Sequence, residues 1–288
     1  MTLHRFARLT AVMTFVLLMA GSLVTSTNSG LSVPDWPLSY GTLFPPMVGG
    51  IFYEHSHRMI AAAVGVMIAG LAGWLWLKEP RRWVRRLGSL ALATVFTQAI
   101  LGGLTVLWAL PPAVSVAHAC LGQAVFCLVV CIAASTAPQW VDQPARSDDL
   151  STPSLQTVSL VVASLAGLQL VLGAVVRHAG AGLSWHLLGA GGLIGTVTWL
   201  VVHVHRATPV PVGFVSASRR LAMLLVVQVI LGGVTLWHRD VVSVKTAHVL
   251  IGALVLAQAV LLAWQAKRFT QPLRAMTRLR VIPEQASP

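Results

Sequence analysis

The sequence predicts an all-α integral membrane protein whose eight transmembrane helices form two pseudo-symmetric four-helix bundles. Three observations carry this expectation. The 288-residue chain is 56% hydrophobic and 10% charged, with a mean hydropathy of +0.78, too little polar surface for a water-soluble domain of this size. Its apolar runs reach the ~20 residues that a helix needs to cross ~30 Å of hydrocarbon. Finally, QAILGGLT (98–105) and QVILGGVT (228–235) match at six of eight positions with an offset of 130, which also carries His118 onto His248.

In chain order the spans lie near 8–28, 54–77, 87–107, 114–136, 156–177, 183–203, 219–238 and 244–266. The first follows Arg5 and Arg8 like a signal peptide, but it lacks a convincing small-residue cleavage site and exceeds the usual ~7–15-residue apolar region. Its repeat partner marks it as a retained helix: GSLVTSTNSGLS (21–32) aligns without a gap on GAVVRHAGAGLS (173–184). The second span opens at EHSHRM. The third and seventh carry the duplicated octapeptide, and the fourth and eighth carry its histidine. The fourth also holds Cys120, Cys127 and Cys131 at roughly helical spacing, as small core residues rather than a disulfide framework or a zinc site. The fifth ends, and the sixth begins, in the partner of the first span's terminal segment.

Between the halves, residues 137–155 are rich in Pro, Asp, Ser and Gln. The expected organisation is therefore an N-terminal four-helix half (1–136), a linker (137–155) and a C-terminal half with a basic tail (156–288). The halves differ in one loop. After Ser32, 24 residues precede His57, whereas only Trp185 separates Ser184 from His186.

Of the 20 Lys and Arg residues, 16 fall in the N-terminal tail, segments 78–86, 137–155 and 204–220, and the C-terminal tail. By the positive-inside rule these segments and both termini are cytoplasmic. The net charge of +12 is then an orientation signal and implies no nucleic-acid partner. Without a Ser-rich transit segment, a bacterial cytoplasmic membrane is expected. The halves would be parallel repeats about an axis along the membrane normal.

His57, His118, His186 and His248 all lie near the outer ends of even-numbered spans, two per half. An imidazole in an apolar helix needs a reason. A lone one is read as a hydrogen bond to a neighbouring helix, but four at repeat-equivalent positions suggest axial ligands that grip an iron porphyrin between facing helices. Glu54 precedes His57 by three residues, on the same helix face, and Leu183 stands at the equivalent distance before His186. An interfacial ion pair with Arg58 is the plain reading of Glu54; chemistry at one of the two sites is the other. Arg58 and Arg177 are candidate partners for porphyrin propionates, with snorkelling to lipid headgroups as the alternative.

The segment NSGLSVPDWPLSYGTLFPPMVGG, the Glu-x-x-His-Arg of EHSHRM, and LGAVVRHAGAGL together resemble the haem A synthase family over essentially the whole chain. That resemblance implies eight helices in two related halves and oxidation of a ring methyl of haem O to the formyl group of haem A, for use by terminal oxidases. It implies that His186 and His248 hold a haem b cofactor, that His57 and His118 bind the substrate haem, and that Glu54 sits by the reacting methyl. Two successive oxidations would give an alcohol and then a gem-diol that loses water. Contacts with the haem O synthase and oxidase assembly factors are implied too, with an unidentified electron acceptor. Many members carry two cysteines flanking PDWPL, where this chain has Val33 and Ser39, so a thiol role is excluded. The loop is expected to cap the substrate site with Pro34, Trp36 and Pro37, and Asp35 to brace its turn. A symmetric di-haem electron carrier would explain the four histidines and the duplication, but not a lone Glu54 or the one-sided loop. A transporter would be expected to show interrupted helices and polar groups near the midplane.

Overall fold

The computed structural model describes residues 1–138, 140, 151–207, 210 and 212–269. Eight helices account for most of them: α1 (Leu3–Ser26), α2 (Gly49–Lys78), α3 (Arg82–Leu107), α4 (Pro112–Ser135), α5 (Leu155–Ala179), α6 (Leu183–Arg206), α7 (Val212–Trp237) and α8 (Val242–Phe269). All eight are long and apolar enough to cross a membrane. Among the described residues there is no strand, only a Ser39–Thr42 bridge. The expected spans fall within or close to these helices, and α1, α2 and α3 begin five residues, and α7 seven residues, earlier than their hydropathy indicates. Most of the linker and the tail beyond 269 lie outside the described residues.

Each half closes on itself. In the first, α1 packs on α2, α2 on α3, α3 on α4 and α4 on α1, and α5 to α8 repeat the ring. Across the halves α1 meets α8, α4 meets α5, and α4 meets α8. Exchanging α1 with α5 and α4 with α8 converts the first contact into the second and leaves the third unchanged, as a two-fold relation requires.

Lipid tails are as apolar as leucine, so helices associate through close packing and cross-helix hydrogen bonds rather than through the hydrophobic effect. Accordingly α8 buries Ala253, Ala257, Ala259 and Ala266, short side chains that let its neighbours approach. Polar contacts add to this at the ends of the interface. Trp264 Nε1 donates to Ser135 Oγ at 3.1 Å, and Thr246 Oγ1 to Ser26 Oγ at 3.2 Å.

The link between α5 and α6 is three residues long because Gly180 (φ 66°) and Gly182 (φ 79°) take left-handed conformations that only glycine adopts without strain. The equivalent link in the first half is residues 27–48. We refer to the end of the molecule carrying it as the loop end. All four singled-out histidines lie there, within the first turns of α2, α4, α6 and α8.

Candidate functional site

Each of the four histidines packs edge-on against a glycine of the preceding helix. A Cβ built on Gly21 would lie 3.0 Å from His57 Cε1, one on Gly102 3.1 Å from His118 Cε1, one on Gly173 3.0 Å from His186 Cε1, and one on Gly232 3.2 Å from His248 Cε1. The same notch therefore occurs four times, with the repeat offsets that the sequence shows. His57 is within electrostatic reach of His118, and His248 of His186; His178, at the end of α5, is within reach of His118 as well. Nδ1 of His57, His118 and His248 is buried and makes no hydrogen bond of good geometry, although each ring approaches a main-chain carbonyl of the preceding helix, that of Leu17, Gln98 or Gln228.

Three glutamines, whose part the sequence pattern alone did not reveal, complete these notches. Gln98, Gln169 and Gln228 stand four residues before Gly102, Gly173 and Gly232. Gln98 Nε2 donates to the His118 carbonyl at 2.9 Å. Gln169 Nε2 donates to the His186 carbonyl at 2.9 Å and lies 3.0 Å from its Nδ1. Gln228 Nε2 lies 3.4 Å from His248 Nε2. Glycines on the histidine helices make room for the amides: a Cβ on Gly122 or Gly252 would sit 3.0 or 3.1 Å from the amide nitrogen of Gln98 or Gln228, and one on Gly189 would collide with Gln169 Oε1. The available signal was a glutamine one turn before glycine inside an apolar helix, repeated three times.

The long loop is tied to α2 by a polar cluster. Glu54 is 3% exposed. Its Oε2 accepts the Val33 N–H at 2.9 Å, and its Oε1 pairs with Arg58 Nη2 at 2.6 Å. Arg58 Nη1 donates to the carbonyls of Asp35 and Leu38, each at 2.7 Å, and Nη2 to that of Val33 at 3.2 Å. Its terminal N–H groups thus hold the loop. His55, absent from the sequence-based list of site residues, is buried and its Nδ1 meets Ser39 Oγ at 2.9 Å. Its only sequence signal was adjacency to Glu54.

Asp35 braces the turn as expected: Oδ1 accepts the Tyr40 N–H at 2.7 Å and Oδ2 the Gly41 N–H at 2.8 Å. These bonds, Gly41's first, hold its carboxyl below the usual carboxylate range. Trp36 reaches α3, where a Cβ on Gly103 would lie 2.9 Å from its Cδ2, whereas Gly233, the repeat equivalent, has nothing within 4 Å.

Arg177 points across the halves. Its Nη2 donates to Ser22 O at 3.1 Å and Ser26 Oγ at 2.7 Å, and no described carboxylate pairs with it. Of the other histidines, His4 contacts the Ala133 carbonyl, His203 that of Pro153, and His205 the Arg219 side chain, all away from the loop end.

Among the described residues no cluster of three or more His, Cys, Asp or Glu side chains would hold a bare metal ion. Two imidazoles suit a metal that brings four ligands of its own, as a haem does. The glycine notches, which seat each ring edge-on against the preceding helix, fit such a group.

Fold and site together define a multi-pass helical membrane protein with an internally duplicated pair of bis-histidine notches. Over residues 4–49 and 47–192 the chain matches the cytochrome oxidase assembly protein family, and it belongs to that family. Among curated relatives, a "Heme A synthase" of Lysinibacillus sphaericus is 30% identical over 177 residues, 60% of this chain and 57% of the relative. One of Symbiobacterium thermophilum is 32% identical over 184 residues, 61% and 58% of the two chains. One of Bacillus licheniformis is 36% identical over 101 residues, 34% and 33%. The chain thus spans less than three-fifths of the length of these relatives.

Proposed function

We propose that the protein is a haem A synthase, oxidising a ring methyl of haem O to a formyl group. The observation that carries this reading is a difference between the two histidine sites: a buried carboxylate, Glu54, stands one turn from His57, and Leu183 takes that place before His186. Electron storage alone would not need this difference.

In this reading His186 and His248, in the half from 156 onward, hold a resident haem b. When bound, that group supplies one-electron redox chemistry. His57 and His118, in the half up to 136, hold the substrate. Glu54 stabilises positive charge developing at the methyl carbon or accepts its proton. Arg58 keeps the loop over the site and pairs with Glu54. Arg177, whose Nε and Nη1 have no described partner, is the better placed of the two arginines for a propionate. Methyl to formyl is a four-electron oxidation, taken as alcohol and then gem-diol: water supplies the oxygen, four protons are released, and four electrons leave to a separate acceptor. The loop end faces outward, both termini are cytoplasmic, and the membrane is a bacterial cytoplasmic one. Haem O synthase and oxidase assembly factors are the partners this role calls for. A di-haem b electron carrier is the alternative, favoured only by the four-fold notch.

The test is expression in a host that makes haem O but lacks its own synthase, followed by chromatography and mass analysis of the extracted haems. Haem A or its hydroxylated precursor alongside haem b is expected. Haem b alone, at about two per chain as four axial ligands imply, would select the carrier. Glu54→Gln is expected to retain haem and lose the formyl product; an undiminished yield refutes its role.

A further inference from the structure

The four notches are alike in glycine and histidine but not in their brace. Where α5 places Gln169, four residues before Gly173, α1 places Leu17, four before Gly21. Where α6 offers Gly189 as the slot for the amide, three residues after His186, α2 offers Ile60, three after His57. Leu17 and Ile60 both pack against the apolar core of the first half. Amide and slot have thus been exchanged together for two packed aliphatic side chains. The other notch in this half keeps both, as Gln98 and Gly122.

The consequence follows from what the amide does. At His118 and His186 it ties the backbone of the histidine's helix to the neighbouring helix, at His186 it also lies against the ring, and at His248 it reaches the ring alone, 3.4 Å from Nε2. Groups that orient a metal-binding imidazole from behind change affinity by about 10–100-fold when removed. All four rings also approach the main-chain carbonyl of the residue one turn before the glycine, Leu17, Gln98, Gln169 or Gln228. That contact is common to the four and does not distinguish them. Only His57 has no side-chain amide behind it.

We infer that Leu17 and Ile60 make His57 the weakly held ligand, so that the first half binds its haem exchangeably while the second, braced at both histidines, retains its own. This rests on the two-haem reading above and deepens it. A site that takes in a substrate haem and releases a product haem needs a ligand that lets go, and a resident cofactor needs two that do not. Leu17, Ile60, Gln169 and Gly189 are positioning residues, acting through the imidazoles.

The experiment follows haem b transfer from the purified full-length chain in detergent to an excess of apomyoglobin. Loss of haem in two phases is expected. The fast one should disappear in His57→Ala and the slow one in His186→Ala. The double variant Leu17→Gln/Ile60→Gly is expected to slow the fast phase about tenfold or more, and Gln169→Leu/Gly189→Ile to speed the slow phase by a similar factor, with unfolding temperatures near that of the parent. A single release rate in the parent overturns the inference, as does an unchanged fast phase in a folded Leu17→Gln/Ile60→Gly protein. Should that variant fail to fold, an unchanged slow phase in Gln169→Leu alone overturns it. Haem A yield is scored separately: two phases that respond as stated, without any haem A, would leave the brace standing and remove the synthase reading.

Discussion

Gly173→Ala is the sharpest perturbation of the site, because its expected effects on the helix and on the ligand have opposite signs. The new methyl would lie 3.0 Å from His186 Cε1 and 3.5 Å from Nδ1. Carbon atoms rest comfortably at about 3.5–4.0 Å, so the ring must give by a few tenths of an ångström. Metal–ligand distances tolerate only about 0.2 Å, so on the proposed reading the displaced ring would meet a haem iron poorly. Overpacking of this kind costs about 1–3 kcal/mol, equivalent to haem binding weakened about 5- to 150-fold. Replacing a mid-helix glycine meanwhile favours the helix by about 1 kcal/mol. Gly167→Ala, on the same helix with nothing within 4 Å, is the control, since it shares the helix gain and lacks the clash. Both variants are to be purified, and haem per chain read from the visible spectrum together with the unfolding temperature. Haem loss confined to Gly173→Ala is expected. Equal haem content in the two would refute the argument that the glycine exists to seat the imidazole.

The loop and its anchors give three further expectations. Gly103→Ala should push Trp36 off α3 and expose the loop to protease, while Gly233→Ala, where nothing lies within 4 Å, should leave digestion unchanged; equal digestion contradicts the seat. Arg58→Leu leaves the Glu54 carboxylate buried without its cation and three loop carbonyls without a donor, which is expected to destabilise by about 3–5 kcal/mol. An unfolding temperature equal to the parent's would show the pair to be dispensable. Asp35 has its carboxyl lowered by the Gly41 and Tyr40 N–H groups, so its contribution is complete above the ordinary value near ~4 and is lost as pH falls through the lower folded value. Limited proteolysis of the loop should therefore rise only in strong acid in the parent, whereas Asp35→Ala should be cut at neutral pH as well.

The helices were readable because lipid imposes a single rule, an apolar run of sufficient length, and the chain obeys it eight times. The histidines were readable because duplication supplies an internal control: His118 and His248 share an offset with the LGG that seats them, and Gly21 and Gly173 share another. Contacts formed across helices were not readable. Gln98, Gln169 and Gln228 stand in the quoted repeats or close by them, yet their purpose appears only once the amide is seen against the imidazole of the next helix. His55 looked like a spectator beside Glu54 until the loop folded back to place Ser39 on it. Arg58, read as a propionate or headgroup partner, proves to have its terminal N–H groups taken by loop carbonyls and Glu54.

The sequence by itself determined the eight apolar spans, their pairing into two related halves and the four histidines, since hydropathy, repetition and residue type are local properties of the chain. Tertiary structure decided which glycine seats which imidazole, which glutamine braces it, that Leu17 and Ile60 leave one histidine without such a brace, and that Arg58 serves the loop. Each of these depends on distances between side chains far apart in sequence, and such distances exist only after the helices have packed.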